Sequence, residues 1–189
     1  MSALPTTAIG PKPYHASLVV NGQAVGFAHL EPFHLALFVE KISRSMTVDV
    51  RFSNHCFSEG FDPLVHPVSL KLLDHGGRER AFCNIRYLLS ARLPDMVRSL
   101  PDAAVWLTKR EHNYVYFIMI EDGSGQYPMF FNLRRPASST CDLSMFVESA
   151  YMMDLEQMRS VLASAQKIRF PVLCAKVFRG ERIRSNVKR

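Results

Sequence analysis

Residues 113–151 read NYVYFIMIEDGSGQYPMFFNLRRPASSTCDLSMFVESAY, three apolar runs split by DGSGQ and RPASSTCD. The runs are rich in aromatic and β-branched residues, and the separators are built of Gly, Pro, Asp and Ser, the composition of strands and turns. Connections this short join antiparallel neighbours. NYVYFIMI and MFVESAY are apolar on both faces, which predicts central strands. AAVWLT (103–108) adds a fourth strand ahead of them, across KREH. The stretch therefore predicts an antiparallel meander. Gly123 and Gly125 fall between two strands, so they read as hairpin glycines rather than a phosphate loop.

Immediately upstream lies a helical unit. Ile85, Leu88, Leu89, Met96, Val97 and Leu100 recur at spacings of three, four and seven, the period of an amphipathic helix. Pro94 within that span predicts a kink, or two helices with Pro94 near the start of the second. Nearer the N-terminus, Asn21-Gly22 separates two β-prone runs and supplies the positive φ angles of a tight hairpin turn. HLALFVEK and MTVDVRFSN form a second strand pair around residues 42–45. In the latter strand Val48, Val50 and Phe52 point one way and Asp49, Arg51 and Ser53 the other, a half-buried pattern. Residues 58–80, with two prolines and Gly76-Gly77, read as an irregular connection: a binding loop or a short covered element. Downstream, residues 155–166 suit a short helix, and IRFPVLCAKVF (168–178) a last strand or buried segment.

The order of elements predicts an α+β fold: an antiparallel meander with a helical unit packed on one face, preceded by β-hairpins. Residues 1–13 form a loose, proline-containing lead-in, 14–178 one domain, and 179–189 a basic tail. The 189 residues, 48% hydrophobic and 21% charged, suit a single core. No apolar run approaches the roughly 18–20 residues that span a bilayer, and no leader pattern opens the chain. The expectation is a soluble cytoplasmic protein without a membrane span. Four cysteines without a CxxC pair read as reduced thiols.

The formal net charge is +6, compatible with a polyanionic partner. Arg179, Arg182, Arg184, Lys188 and Arg189 crowd the tail against Glu181. They form either a solvated chain end or an arm that seeks phosphates.

Chemistry centres on RFSNHCFSEGF (51–61). His55, Cys56, His66, His75 and Cys83 are zinc-competent types, but none has the paired spacing of a closed site, so no metal and no cofactor are expected. Cys56 beside His55 is an adjacency in sequence, which is not the hydrogen-bonded pairing that activates a thiolate. What remains is RNA cleavage by its own 2′-hydroxyl, which needs a base, an acid and cations. Arg51, Ser53 and His55 share one strand face. Arg134 follows Phe130 and Asn132 on another. Ser149 and Tyr151 end a third, and Lys109, Arg110 and His112 lie in a turn. If these strands adjoin, the sheet carries arginine, histidine, serine and tyrosine with no carboxylate pair to repel phosphate.

A helical unit followed by a meander whose late strand ends in SAY resembles the metal-independent toxin ribonuclease superfamily that groups barnase, EndoU, colicin nucleases and RelE. In phage-associated members a strand of the type apolar-x-apolar-x-SAY recurs, and FVESAYMMD (146–154) is similar. The resemblance covers about residues 46–178. It implies a cofactor-free ribonuclease of a bacterial or phage-linked system, and by motif it reaches Ser149 and Tyr151. Arg51, His55 and Arg134 are placed by the residue pattern alone. Glu148 departs from the motif, which often has a cation there.

The candidate catalytic set is thus His55, Arg51, Arg134, Ser149 and Tyr151. The candidate nucleic-acid contacts are Lys109, Arg110 and the five basic tail residues. Against this stands a non-catalytic domain that binds nucleic acid or a protein. In that case His55 is a turn residue, Ser149 and Tyr151 finish a strand, and Arg134 is a solvated strand exit.

Overall fold

A computed structural model of the chain describes residues 12–108, 114–119, 125–137, 140–163, 165–181 and 183. The fold is α+β, and its centre is a seven-stranded sheet.

The Asn21-Gly22 turn forms as expected, with φ of 51° and 77°, joining β1 (Leu18–Val20) to β2 (Gln23–Val25). β3 (Phe33–Val39) and β4 (Arg44–Phe52) pair antiparallel as the second hairpin. The connection at 58–80 is more ordered than its composition suggested. β5 (Ser58–Gly60), β6 (Lys71–Leu73) and β7 (Glu79–Phe82) form a small antiparallel sheet with β7 in the middle.

The meander runs in its predicted order: β8 (Ala104–Leu107), β9 (Tyr114–Met119), β10 (Gln126–Arg134) and β11 (Leu143–Ala150). Each lies beside the next and antiparallel to it. The hairpin of β3 and β4 is not a separate prelude. β4 pairs in parallel with β11, extending the meander into one mixed sheet. Asp142, just ahead of β11, fixes that junction. Its Oδ2 accepts the Thr47 N–H at 2.9 Å, its own N–H donates to the Thr47 carbonyl at 2.9 Å, and it pairs with Arg44.

The helical unit is indeed two helices, α1 (Asn84–Ser90) and α2 (Leu93–Ser99), with Pro94 in the first turn of the second. Its predicted stripe holds only in the second half. Met96, Val97 and Leu100 are buried, whereas Ile85 and Leu88 are 66% and 63% exposed. The break near Ala91–Arg92 turns α1 away, so one periodicity cannot serve both helices.

α3 (Leu155–Leu162) comes after β11, with a capping box between Asp154 and Gln157. IRFPVLCAKVF is a strand only at its start. β12 (Gln166–Arg169) ends where α4 (Phe170–Phe178) begins, with Pro171 in the first helical turn. A short apolar run has no periodicity to separate strand from buried helix, and proline at a helix start favours the helix.

One face of the large sheet is the core. Leu35, Val48, Val50, Phe52, Phe131, Met145 and Val147 are buried there. α2 and α4 add Met96, Val97, Phe170 and Leu173, and the rings of Phe131 and Phe170 meet edge to face at 6.2 Å. Along β3 and β4 buried residues alternate with exposed or half-buried ones, so the other face is largely open. α3 covers part of it, where Met158 packs with Trp106, Phe130 and Tyr151.

Gly125 is required where β10 begins. Its φ is +154°, and a Cβ there would meet the Met153 carbonyl oxygen at 2.6 Å, beside the bridge between Gln126 and Met153. Gly125→Ala should therefore cost about 2 kcal/mol. Denaturant unfolding measures it, and an unchanged midpoint would show that the backbone yields freely.

Candidate functional site

The parallel pairing brings the carboxyl ends of β4 and β11 side by side. The Ser53 N–H donates to the Val147 carbonyl at 2.8 Å, carrying the ladder one residue past β4. The chain then turns sharply in a 3-10 turn over Asn54–Cys56, and the Ser53 hydroxyl accepts the His55 N–H at 3.2 Å as its cap. Phe52 and Cys56 are fully buried on either side. Anchoring both ends pushes the intervening His55 outward, with its side chain 21% exposed. His55 is thus placed by the turn and not by continuation of the strand alternation.

The turn docks on the hairpin joining β6 to β7. The Asn54 amide donates to the Leu73 carbonyl at 2.9 Å, and the neighbouring Asp74 organises the hairpin tip. Its Oδ1 accepts the backbone N–H groups of Gly76 and Arg78 at 2.8 and 2.9 Å. Its Oδ2 accepts Arg78 Nε at 2.7 Å and His55 Nε2 at 2.9 Å. Burial pushes the Asp74 carboxyl up, but the N–H donors of Arg78, His55 and Gly76 outweigh it and hold the carboxyl far below the usual range. Asp74 is therefore ionised, and His55 Nε2 must be the donor in their hydrogen bond.

Burial lowers the His55 pKa, and the Arg80 and Arg78 guanidiniums lower it further, against the raising effect of Asp74. The imidazole is neutral at pH 7, with its proton on Nε2 and a lone pair on Nδ1.

His55 and Asp74 line a cavity of about 360 Å³ between the open sheet face and the 74–78 hairpin. His75, Arg78, Ser53 and Ser149 share it, with Phe146 and Glu148 on the sheet side. A neutral imidazole oriented by a carboxylate, a second imidazole, a guanidinium and two hydroxyls supply base, acid, cation and donors for chemistry on a small polar group. Among the described residues no group of three or more His, Cys, Asp or Glu is gathered as for a metal ion.

Of the residues chosen from sequence, His55 and Ser149 meet in this cavity. Arg51 does not line it; its Nε is held by Asp49 at 3.0 Å on the open face. Arg134 lies beside Ser144 at the far end of β11, roughly 16 Å from Ser149 at the usual strand rise. Tyr151 stacks on Phe130 at 5.8 Å and carries the Arg86 guanidinium 4.9 Å above its ring. Arg179 faces Glu181 at 3.6 Å at the end of α4, which packs on the other side of the sheet. Lys109, Arg110, Arg182, Arg184, Lys188 and Arg189 lie outside the described residues.

Two carboxylates also stand in the cavity, one on the hairpin and one on the sheet. Asp74 and Glu148 both line the cavity, and Glu148 accepts the Asn132 amide at 2.6 Å. Asp74, His75 and Arg78 are the residues that sequence reasoning missed. DHGGR at 74–78 holds their signal, because Asp followed two residues later by Gly is the mark of a side-chain-closed turn.

A sheet domain with a histidine–aspartate pair in a cleft is the class these features define. The chain belongs to the YjaZ family, whose model matches residues 17–178, from just before β1 to the end of α4. No curated protein and no solved structure matches it. No helix among the described residues is long and apolar enough to cross a membrane.

The histidines also set a pH dependence. His15, His29 and His55 are all held below 6.5, chiefly by burial. The unfolded chain therefore binds protons below pH 6.5 that the folded chain resists. The histidine contribution should be complete only well above pH 6.5 and be lost as the solution is acidified through that value, by at most about 1.4 kcal/mol per pH unit for each such histidine. Denaturation midpoints equal at pH 7.5 and 5.5 would refute this.

Proposed function

We propose that the protein is a cofactor-free, ribonuclease-like enzyme acting on RNA in the cytoplasm. The observation that supports it is the His55–Asp74 pair beside His75 and Arg78 in one cavity. In this reading His55 Nδ1 takes the proton of a ribose 2′-hydroxyl. The 2′-oxygen bonds to phosphorus, the bond from phosphorus to the 5′-oxygen breaks, and His75 returns a proton to that oxygen. Arg78 offsets the charge that builds on the phosphoryl oxygens. The products are a 2′,3′-cyclic phosphate and a 5′-hydroxyl. Lys109, Arg110, Arg182, Arg184, Lys188 and Arg189 belong to the same reading as phosphate contacts, whereas Arg179, across the sheet from the cavity, stands apart from it.

Incubation of the purified protein with RNA in EDTA tests it. Fragments ending in 2′,3′-cyclic phosphate are expected, and substrates with 2′-deoxyribose throughout should resist. RNA left intact at high protein concentration would overturn the proposal.

A second reading has its own support. Asp74 Oδ1 is committed to its own turn, and Asn54 and His55 peg that turn to the large sheet. The pair is then a clamp in a non-catalytic domain that binds nucleic acid or a protein. In that case His55→Ala changes affinity modestly, and cleavage is never seen.

A further inference from the structure

Phe146 is the feature the cleavage chemistry does not use. It sits on the open face of β11, an interior strand, half-buried and lining the cavity. Its cross-strand neighbours are Asn132 on β10 and Arg51 on β4, so one row across three strands reads amide, aromatic ring, guanidinium. Core packing does not explain the ring, because the buried face of β11 is filled by Met145 and Val147. Its closest ring contact among the described residues is His75, at 6.3 Å between centroids and 55° between planes, too tilted for the imidazole to lie flat against its face.

The charges nearby decide what such a ring would hold. Arg51 and Arg78 are already paired with Asp49 and Asp74 at 3.0 and 2.7 Å, and Arg80 and Arg86 beside His55 donate to the Ser58 carbonyl at 2.8 and 2.9 Å. Guanidiniums so committed have less to offer a phosphate backbone, which disfavours a duplex that presents little else. A splayed base gains from stacking on an aromatic ring whatever the net charge, and Arg51 and Asn132 flank the place its edges would occupy.

We propose that this face binds single-stranded RNA by stacking one base on Phe146, between Arg51 and Asn132, with the adjoining phosphodiester in the His55 cavity. The inference rests on the ribonuclease reading and names its substrate as unpaired rather than duplex RNA.

The test uses the full chain and a fluorescent single-stranded 2′-O-methyl oligonucleotide, which cannot be cleaved through its 2′-oxygen, alongside the same strand annealed to its complement. Anisotropy should show the single strand binding at least about tenfold more tightly than the duplex. Phe146→Leu should weaken single-strand binding roughly 5- to 100-fold, and Phe146→Trp should retain it. Circular dichroism confirms that both variants fold. Equal affinity for the two probes, or Phe146→Leu binding within twofold of the unchanged chain, would overturn the inference. The two proposals fail separately. Stacking as expected with RNA intact in EDTA removes the enzyme and keeps the platform. Cleavage that is indifferent to Phe146→Leu removes the platform and keeps the enzyme.

Discussion

His55→Ala should lower RNA cleavage in EDTA by about 10²- to 10⁴-fold, the range of a general base, while the chain stays folded. The turn that carries residue 55 is anchored by Phe52 and Cys56, both fully buried, and by the Asn54 bond to Leu73. None of these needs the imidazole. Added free imidazole should restore part of the lost rate, because the cavity would keep its other groups. With the histidine in place, the rate should fall on acidification only below pH 6.5, since burial holds the His55 pKa under that value. A variant that cleaves as fast as the parent would remove His55 from the chemistry.

Asp74→Asn should cost more than about a hundredfold in cleavage, and it separates the two readings of the site. An asparagine keeps an oxygen for the Gly76 and Arg78 N–H groups, so the turn can still close. It replaces the oxygen that accepts from His55 Nε2 and Arg78 Nε with an amide that donates. The imidazole is then free to move its proton to Nδ1, the nitrogen required as base. If the pair is only a clamp, the outcome is a lower melting temperature with no activity to lose. If it is catalytic, the rate falls at temperatures where circular dichroism is unchanged. Activity equal to the parent would end the catalytic reading of the pair.

Local chemistry made much of the fold legible. Asn21-Gly22 announces its turn because few other pairs adopt positive φ twice, and the meander announces itself through β-prone runs and turn residues in strict succession. The parallel union of β4 and β11 has no such mark. It joins segments as far apart as Thr47 and Asp142, 95 residues distant, and pairing at that range is chosen by the whole sheet. The same limit governs the site. His55 stood out by its polar neighbours, and Ser149 through a motif. Asp74 and Arg78 sit in a segment that reads as mere connection until the small sheet folds and carries its turn to the cavity. Arg51, Arg134 and Tyr151 lie on or beside the strands that carry the site, but a strand spreads its residues over many ångströms, and sharing one does not bring side chains together.

The junction of β4 and β11 also governs how the molecule can be assembled. Neither the first half of the chain nor the second contains the whole sheet, because the seam between β11 and β4 is stitched from both. Sequence-distant pairing of this kind raises contact order, so refolding should be slower than for an isolated meander. A chain cut between α2 and β8 would leave β4 and β11 each with a bare edge, and exposed edges of that kind seek other chains. Two such fragments mixed together should find each other and rebuild the seam.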